Sequence, residues 1–108
     1  MFKEDFVIQL NIRRLLVRTN IDYSGFDFGS VKGVVYFRGI FQVRAVYNFE
    51  DPELNKYLKT PDLVIKTLYS LEKRVRSITG VKDVVFQFVN WEKDKGRWIH
   101  HKEKEKEG

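Results

Sequence analysis

The N-terminal segment of the chain places apolar residues at steps of three and four, which is the repeat of an α-helix that buries one face. These residues are Ile8, Ile12, Leu15 and Leu16. Residues 6–12 also alternate in polarity as a strand would, but the longer pattern favours a helix. We therefore predict a helix from Asp5 to Asn20, with Arg13, Arg14 and Arg18 away from its apolar face.

A β-hairpin is predicted next, with a first strand near Ile21 to Phe28 and a connection from Gly29 to Gly33. The second strand, Val34 to Val46, alternates between an apolar and a wetter face. The apolar face carries Val35, Phe37, Phe41, Val43 and Ala45, and the wetter face carries Val34, Tyr36, Arg38, Ile40, Gln42 and Arg44. Gly39 falls on the apolar face, where a missing side chain lets a helix approach closely or the strand bend.

A second helix has a clear start, with Thr60 as N-cap, Pro61 as the first helical residue and Asp62 complementing the helix dipole. Gly80 ends this helix as a left-handed cap. Its apolar residues recur at steps of four and three and are Val64, Leu68, Leu71, Val75 and Ile78. The polar stretch between the second strand and this helix, residues 48–58, is predicted to be a loop with room for one helical turn.

A last strand is predicted from Val81 to Trp91, and the chain becomes highly charged from Glu92 onward. In this strand Val84, Phe86 and Phe88 alternate with Val85, Gln87, Val89 and Trp91. Alternating lysine and glutamate cannot bury enough apolar area to fold. The expected organisation is therefore one domain, residues 1–98, followed by a disordered tail, residues 99–108.

The predicted order of helix, strand, strand, helix and strand occurs together with two glycine motifs. The first is Gly33-x-Val35-x-Phe37-x-Gly39-x-Phe41 and the second is Gly80-Val81-x-x-Val84. With these motifs, over roughly residues 8–89, the chain resembles the BON domain family, named for bacterial OsmY and nodulation proteins. The connection from the second strand to the second helix is longer here than is usual in that family.

The resemblance to BON domains implies an α+β fold of the order α-β-β-α-β, with a three-stranded mixed sheet and two helices packed on one face. It also implies a binding role rather than catalysis, with attachment to protein or phospholipid in the bacterial envelope. The matching glycines, Gly33, Gly39 and Gly80, are structural, so the resemblance assigns the lipid-binding role to no particular residue.

Composition adds few constraints on function. The 108 residues carry a formal net charge of +5 and no cysteine, which excludes disulfides, thiolate metal sites and cysteine nucleophiles. No apolar run approaches the ~20 residues of a membrane helix. Because no secretory signal is visible, the chain as it stands is expected to be cytoplasmic, or periplasmic or envelope-associated if it is a fragment of an exported protein.

Catalysis is poorly supported by the residues. His100 and His101 are adjacent in a charged segment with no fixed partner, and Asp22 and Asp27 flank a turn. Neither pair has the setting that a metal site or a general acid requires. We therefore predict a protein that is not an enzyme and that needs no cofactor or metal.

The wetter faces of the strands provide the best candidate site, because they should meet on the sheet face opposite the helices. The candidate residues are Tyr36, Arg38, Gln42, Arg44, Gln87 and Trp91. Such a face can attach to a protein or phospholipid partner or join two copies of the chain as a homodimer. The alternative is nucleic-acid binding through the same arginines and aromatic side chains.

Overall fold

The computed structural model of the chain describes residues 3–44 and 61–101. The elements run in the order α1 (Lys3–Val17), β1 (Ile21–Asp22), β2 (Phe26–Val31), β3 (Val34–Gly39), β4 (Gln42–Val43), α2 (Pro61–Arg76), β5 (Asp83–Phe88), β6 (Trp91–Asp94) and β7 (Arg97–His100). The α+β class is confirmed. The predicted 48–58 loop, the N-cap Thr60 and residues 102–108 lie outside the described residues.

Strands β2, β3 and β5 form the central three-stranded sheet, in which β3 pairs antiparallel with β2 and parallel with β5. The predicted three-stranded mixed sheet is therefore confirmed. Two further ladders, β1 with β4 and β6 with β7, were not predicted. The described helices are neither long enough nor apolar enough to cross a bilayer.

Both helices pack against the same side of the central sheet. The inward row of the sheet places Phe28, Phe37 and Phe86 side by side, and the Phe37 and Phe86 rings stack with centroids 5.3 Å apart. The helices add Ile8, Ile12, Leu16, Leu68, Leu71 and Val75 to the same buried cluster. The alternation of apolar residues along the strands thus predicted correctly which side the helices cover.

The β2–β3 connection is a tight turn of two residues, Lys32 and Gly33, both with positive φ (51° and 85°). This geometry matches the right-handed twist of the flanking strands. The turn is therefore shorter than the predicted Gly29 to Gly33 connection, since residues 29–31 belong to β2. The predicted first strand is also divided, because a short 3-10 helix, Tyr23–Gly25, separates β1 from β2.

Asp5 of α1 holds this turn in place. Its buried carboxylate accepts hydrogen bonds from the Ser30 hydroxyl (2.7 Å) and from the backbone N–H groups of Lys32 (2.9 Å) and Gly33 (3.0 Å). On the other side, the Gly33 carbonyl accepts from Lys82 N–H at 2.8 Å. The turn is therefore fixed by both the first helix and the segment that leads into β5.

Gly39 interrupts the predicted long strand. Its φ is +132°, and a Cβ there would lie 2.6 Å from the Gly25 carbonyl oxygen and 2.7 Å from Phe26 Cα. The close approach comes from the first residue of β2 and the residue before it, and not from α1 or α2. Beyond this bend the chain pairs with β1 as the separate strand β4, so residues 34–44 of the predicted Val34 to Val46 strand contain two strands, and Ala45 and Val46 lie outside the described residues.

Gly80 has the left-handed conformation that was predicted, with φ +94°. The helix itself ends earlier, at Arg76, and residues 77–80 form a bent connection to β5. A Cβ on Gly33 would lie 2.8 Å from the Gly80 carbonyl oxygen. The two glycine motifs of the sequence therefore meet in space. Gly33 has no room for a Cβ, whereas a Cβ on Gly80 would lie 3.4 Å from Ile8 Cδ1, so the positive φ alone favours glycine there.

Residues 91–100 form a β-hairpin, although the sequence is highly charged from Glu92 onward. Strands β6 and β7 are joined by Lys95 and Gly96, and the hairpin contributes Trp91 and Trp98 to the core. The prediction that the chain is unstructured from residue 99 is wrong for Ile99 and His100, which belong to β7. Trp98 packs edge-on against Phe86 with centroids 5.0 Å apart, so the hairpin covers the inward side of β5.

Candidate binding surface

Three of the predicted site residues lie together on the outward face of the central sheet. Tyr36 and Arg38 are exposed on β3, and Gln87 is exposed beside them on β5. The Arg38 guanidinium donates to the Gln87 side-chain carbonyl from two nitrogens, at 3.3 and 3.4 Å. The alternation pattern therefore placed these three residues correctly.

Gln42 and Arg44 are exposed, but they lie beyond the bend at Gly39 and outside the central sheet. The Arg44 guanidinium lies 5.0 Å from the centre of the Tyr23 ring, which is a cation–π distance. These residues form a second exposed group, next to the end of β3 rather than on it. The predicted single surface is therefore divided between two sheets.

Trp91 was predicted on the outward face, and that placement is wrong. The residue is only 6% exposed and belongs to the buried cluster. The reason is a bend at Val89 and Asn90, which resets the alternation. The Asn90 side chain accepts from Phe41 N–H (2.9 Å) and donates to the Phe41 carbonyl (2.8 Å), which holds this bend in place.

The outward face also has an apolar part. The sequence pattern placed Ile40 and Val89 on this face but did not include them among the predicted site residues. Val31 and Val89 are 59% and 66% exposed, and Ile40 is also exposed at the end of β3. The alternation pattern did contain this information, because Ile40 and Val89 share the parity of Arg38 and Gln87. We name the set Val31, Tyr36, Arg38, Ile40, Gln87 and Val89 the open sheet face.

The open sheet face has little net charge. Asp27 lies directly across the ladder from Arg38, so their charges offset one another. At the opposite end Asp83 forms an ion pair with Arg76 at 3.1 Å. The arginines of α1 lie on the helix side of the molecule, so the excess positive charge of the chain is not concentrated on the open sheet face.

The aspartates with shifted pKa values are held as carboxylates. Hydrogen bonds from Gly33 N–H and the Ser30 hydroxyl lower the pKa of Asp5, and those from the Ser24 hydroxyl and N–H lower that of Asp22. The pKa of Asp83 is lowered first by Val84 N–H and then by Arg76. A general acid needs a raised carboxyl pKa, so these three residues are unsuited to that role.

A shallow cleft of about 510 Å³ lies between α2, β5 and the C-terminal hairpin. Its charged lining residues are paired within the protein. Buried Glu72 binds both Arg76 and Lys93, and the His101 ring lies 3.1 Å from the Glu92 carboxylate. Across the described ranges, no three potential ligands converge on a metal site. The Glu72–Lys93 ion pair connects α2 to the hairpin, whereas the Glu72–Arg76 pair lies within α2.

Comparison with protein-family models, curated proteins and solved structures found no match to this chain. The resemblance to BON domains therefore stays a prediction that rests on the glycine motifs and the order of elements.

Proposed function

We propose that the protein is a non-enzymatic, BON-like binding module that attaches to a partner protein through the open sheet face. The observation that carries this proposal is the exposure of apolar side chains on a face that no described element covers. Val31 and Val89 are each more than half exposed, at opposite ends of this face. Exposed apolar side chains grouped on one face are typical of interaction sites.

The size of the face indicates what else must take part in binding. Three strands of six residues span about 20 by 14 Å, which is an area of about 280 Å². This area is well below the ~800 Å² that each partner buries in a stable interface. The contact must therefore extend to the neighbouring exposed residues Tyr23 and Arg44. Otherwise the complex is transient.

The charge of the face favours a protein over phospholipid or nucleic acid. Anionic headgroups and phosphates are bound by an excess of cations. On this face Arg38 is offset by Asp27, and the neighbouring Arg44 is near enough to Asp22 to interact with its carboxylate. Single-stranded nucleic acid also needs several stacking aromatics, whereas among the described residues the face presents only Tyr36.

The test uses a variant that introduces charge into the face, Val31→Lys with Val89→Lys. We expect it to fold normally and to lose a partner that the wild-type chain captures from its source cells. The matched control, Ser70→Lys with Thr79→Lys, adds the same charge at exposed positions outside the central sheet and should retain that partner. Affinity for the identified partner is then measured by calorimetry.

Salt and self-association decide between the alternatives. Affinity for a protein partner should change little between about 50 and 200 mM salt, whereas phosphate contacts would weaken it by orders of magnitude. Analytical ultracentrifugation of wild type and variant tests the homodimer. A partner that both variants capture equally would contradict the proposed use of the open sheet face.

A further inference from the structure

Helix α1 is apolar on two sides, although the described structure covers only one of them. Its inner side buries Ile8, Ile12 and Leu16. On the outer side, Phe6 and Val17 are 55% and 61% exposed. Apolar side chains that are exposed and grouped on one side of a helix are typical of an interaction site. The outer side of α1 therefore has the composition of a contact surface.

The spacing on that outer side matches a helix-packing line. Phe6, Leu10, Arg13 and Val17 follow one another at steps of four, three and four, the spacing of residues that contact a second helix. We name these four residues the outer seam. A shallow groove of about 210 Å³ runs between Leu10, Val17 and the neighbouring arginines. The groove gives the partner's side chains a place to insert.

The charge around the outer seam defines the partner further. Arg13 lies in the seam, with its guanidinium 5.9 Å from the centre of the Phe28 ring, and Arg14 and Arg18 flank it. Within residues 3–44 and 61–101 none of the three arginines forms an ion pair. The Asp5 carboxylate turns inward to the β2–β3 turn, so it does not offset them. A partner that buries this surface must supply carboxylates.

We propose that the outer seam binds an amphipathic helix of a partner protein whose apolar stripe is flanked by glutamate or aspartate. A second copy of the chain would place arginine against arginine, so self-association through this seam is disfavoured. A membrane surface fits less well, because Arg13 interrupts the apolar line, whereas an interfacial helix needs a wide apolar face. This proposal does not depend on the function proposed for the open sheet face.

The experiment uses a synthetic peptide of three heptads, about 21 residues, with leucine at a and d and glutamate at e and g. A second peptide carries lysine in place of every glutamate. Binding to the full chain is measured by fluorescence anisotropy, and backbone amide shifts of the ¹⁵N-labelled protein locate the contact. We expect the glutamate peptide to bind, with the largest shifts in residues 6–18.

Two charge-reversal variants make the test specific. Arg14→Glu with Arg18→Glu should weaken binding of the glutamate peptide by about tenfold or more and create affinity for the lysine peptide. Lys73→Glu with Arg74→Glu makes the same charge change at exposed positions on α2 and should leave both affinities unchanged. Circular dichroism of each variant confirms that it is folded.

Four outcomes would overturn the proposal. The first is equal binding of the two peptides by the wild-type chain, and the second is unchanged specificity of the Arg14 and Arg18 variant. The third is peptide-induced shifts confined to the open sheet face. The fourth is a change in the amide chemical shifts of α1 on adding vesicles of phosphatidylcholine and phosphatidylglycerol, with no change on adding the glutamate peptide. This result would assign the seam to a lipid surface.

Discussion

Gly39 is the residue at which the local backbone most constrains the sequence. A side chain there would meet the Gly25 carbonyl and Phe26 Cα, and the positive φ adds strain. We predict that Gly39→Ala lowers the free energy of unfolding by more than about 1 kcal/mol. Gly29→Ala is the control, because nothing lies within 4 Å of a Cβ at that position. Urea unfolding should show a change below about 0.5 kcal/mol for this control.

Asp5 makes the stability of the fold depend on pH in the acidic range. The Gly33, Ser30 and Lys32 donors lower its pKa below the ordinary 3.8 in the folded state. The resulting stabilisation is therefore complete above about pH 3.8 and is lost as the pH falls through the lower folded-state pKa. We predict that Asp5→Asn lowers the Tm at neutral pH, because an amide presents N–H groups to N–H donors.

The pH profile separates this effect from a general loss of packing. Between about pH 5 and pH 2, the Tm of Asp5→Asn should fall less steeply than that of the wild-type chain, because the titrating group has been removed. Asp27→Asn, at an exposed position on β2, is the control. Parallel Tm curves for Asp5→Asn and wild type would show that the carboxylate does not contribute through its charge.

Individual residues were predictable wherever strand alternation ran unbroken. Tyr36, Arg38 and Gln87 face outward as predicted, because each lies within a regular strand. Trp91 faces inward because Asn90 binds the backbone of Phe41, which lies 49 residues earlier in the chain. A bend held by such a distant contact leaves no local pattern in the sequence.

At the scale of elements, the C-terminal hairpin is the main addition to the predicted fold. Trp98 packs against Phe86, and the Tyr69 hydroxyl of α2 donates to the Gly96 carbonyl in the hairpin turn at 2.6 Å. We predict that Trp98→Ala destabilises the protein by about 3–5 kcal/mol, because it removes a large buried side chain. Denaturant unfolding monitored by far-ultraviolet circular dichroism measures this change.

The matched substitution is Trp98→Phe, which keeps an aromatic ring against Phe86. It also removes an indole N–H that is buried without an acceptor among the described residues. Its cost should therefore be clearly smaller than that of Trp98→Ala. Arg97→Ala, at an exposed position on the same strand, should change stability by less than about 0.5 kcal/mol. Equal stability of Trp98→Ala and wild type would contradict the packed hairpin.

The sequence analysis did not predict the C-terminal hairpin, because its many charged residues resemble those of a disordered tail. One feature of the sequence did indicate a hairpin. Lys95-Gly96 repeats the Lys32-Gly33 pair of the first hairpin, and both pairs form two-residue turns with positive φ. The tryptophans on either side of that turn are large residues that rarely occur in disordered tails. Turn residues and flanking aromatics were better guides to this element than the surrounding lysines and glutamates.

At the scale of the whole molecule, the two sides of the protein differ in charge. The open sheet face offsets Arg38 with Asp27, whereas the outer side of α1 collects three arginines without ion pairs in the described ranges. The net charge of +5 is readable from composition. The position of the excess charge on the surface cannot be read from composition, because it depends on which face of each helix packs into the core. We therefore expect the two proposed surfaces to suit partners of different chemistry.

Both tryptophans of the chain lie in the C-terminal hairpin, and this makes intrinsic fluorescence a local reporter. Trp98 emission depends on packing against Phe86 and Phe88, and the Trp91 ring lies edge-on to His100 with centroids 4.8 Å apart. Circular dichroism instead follows the two helices. Fluorescence and ellipticity therefore monitor different parts of the chain. A lower melting midpoint by fluorescence than by ellipticity would show that the hairpin unfolds while the rest of the protein remains folded.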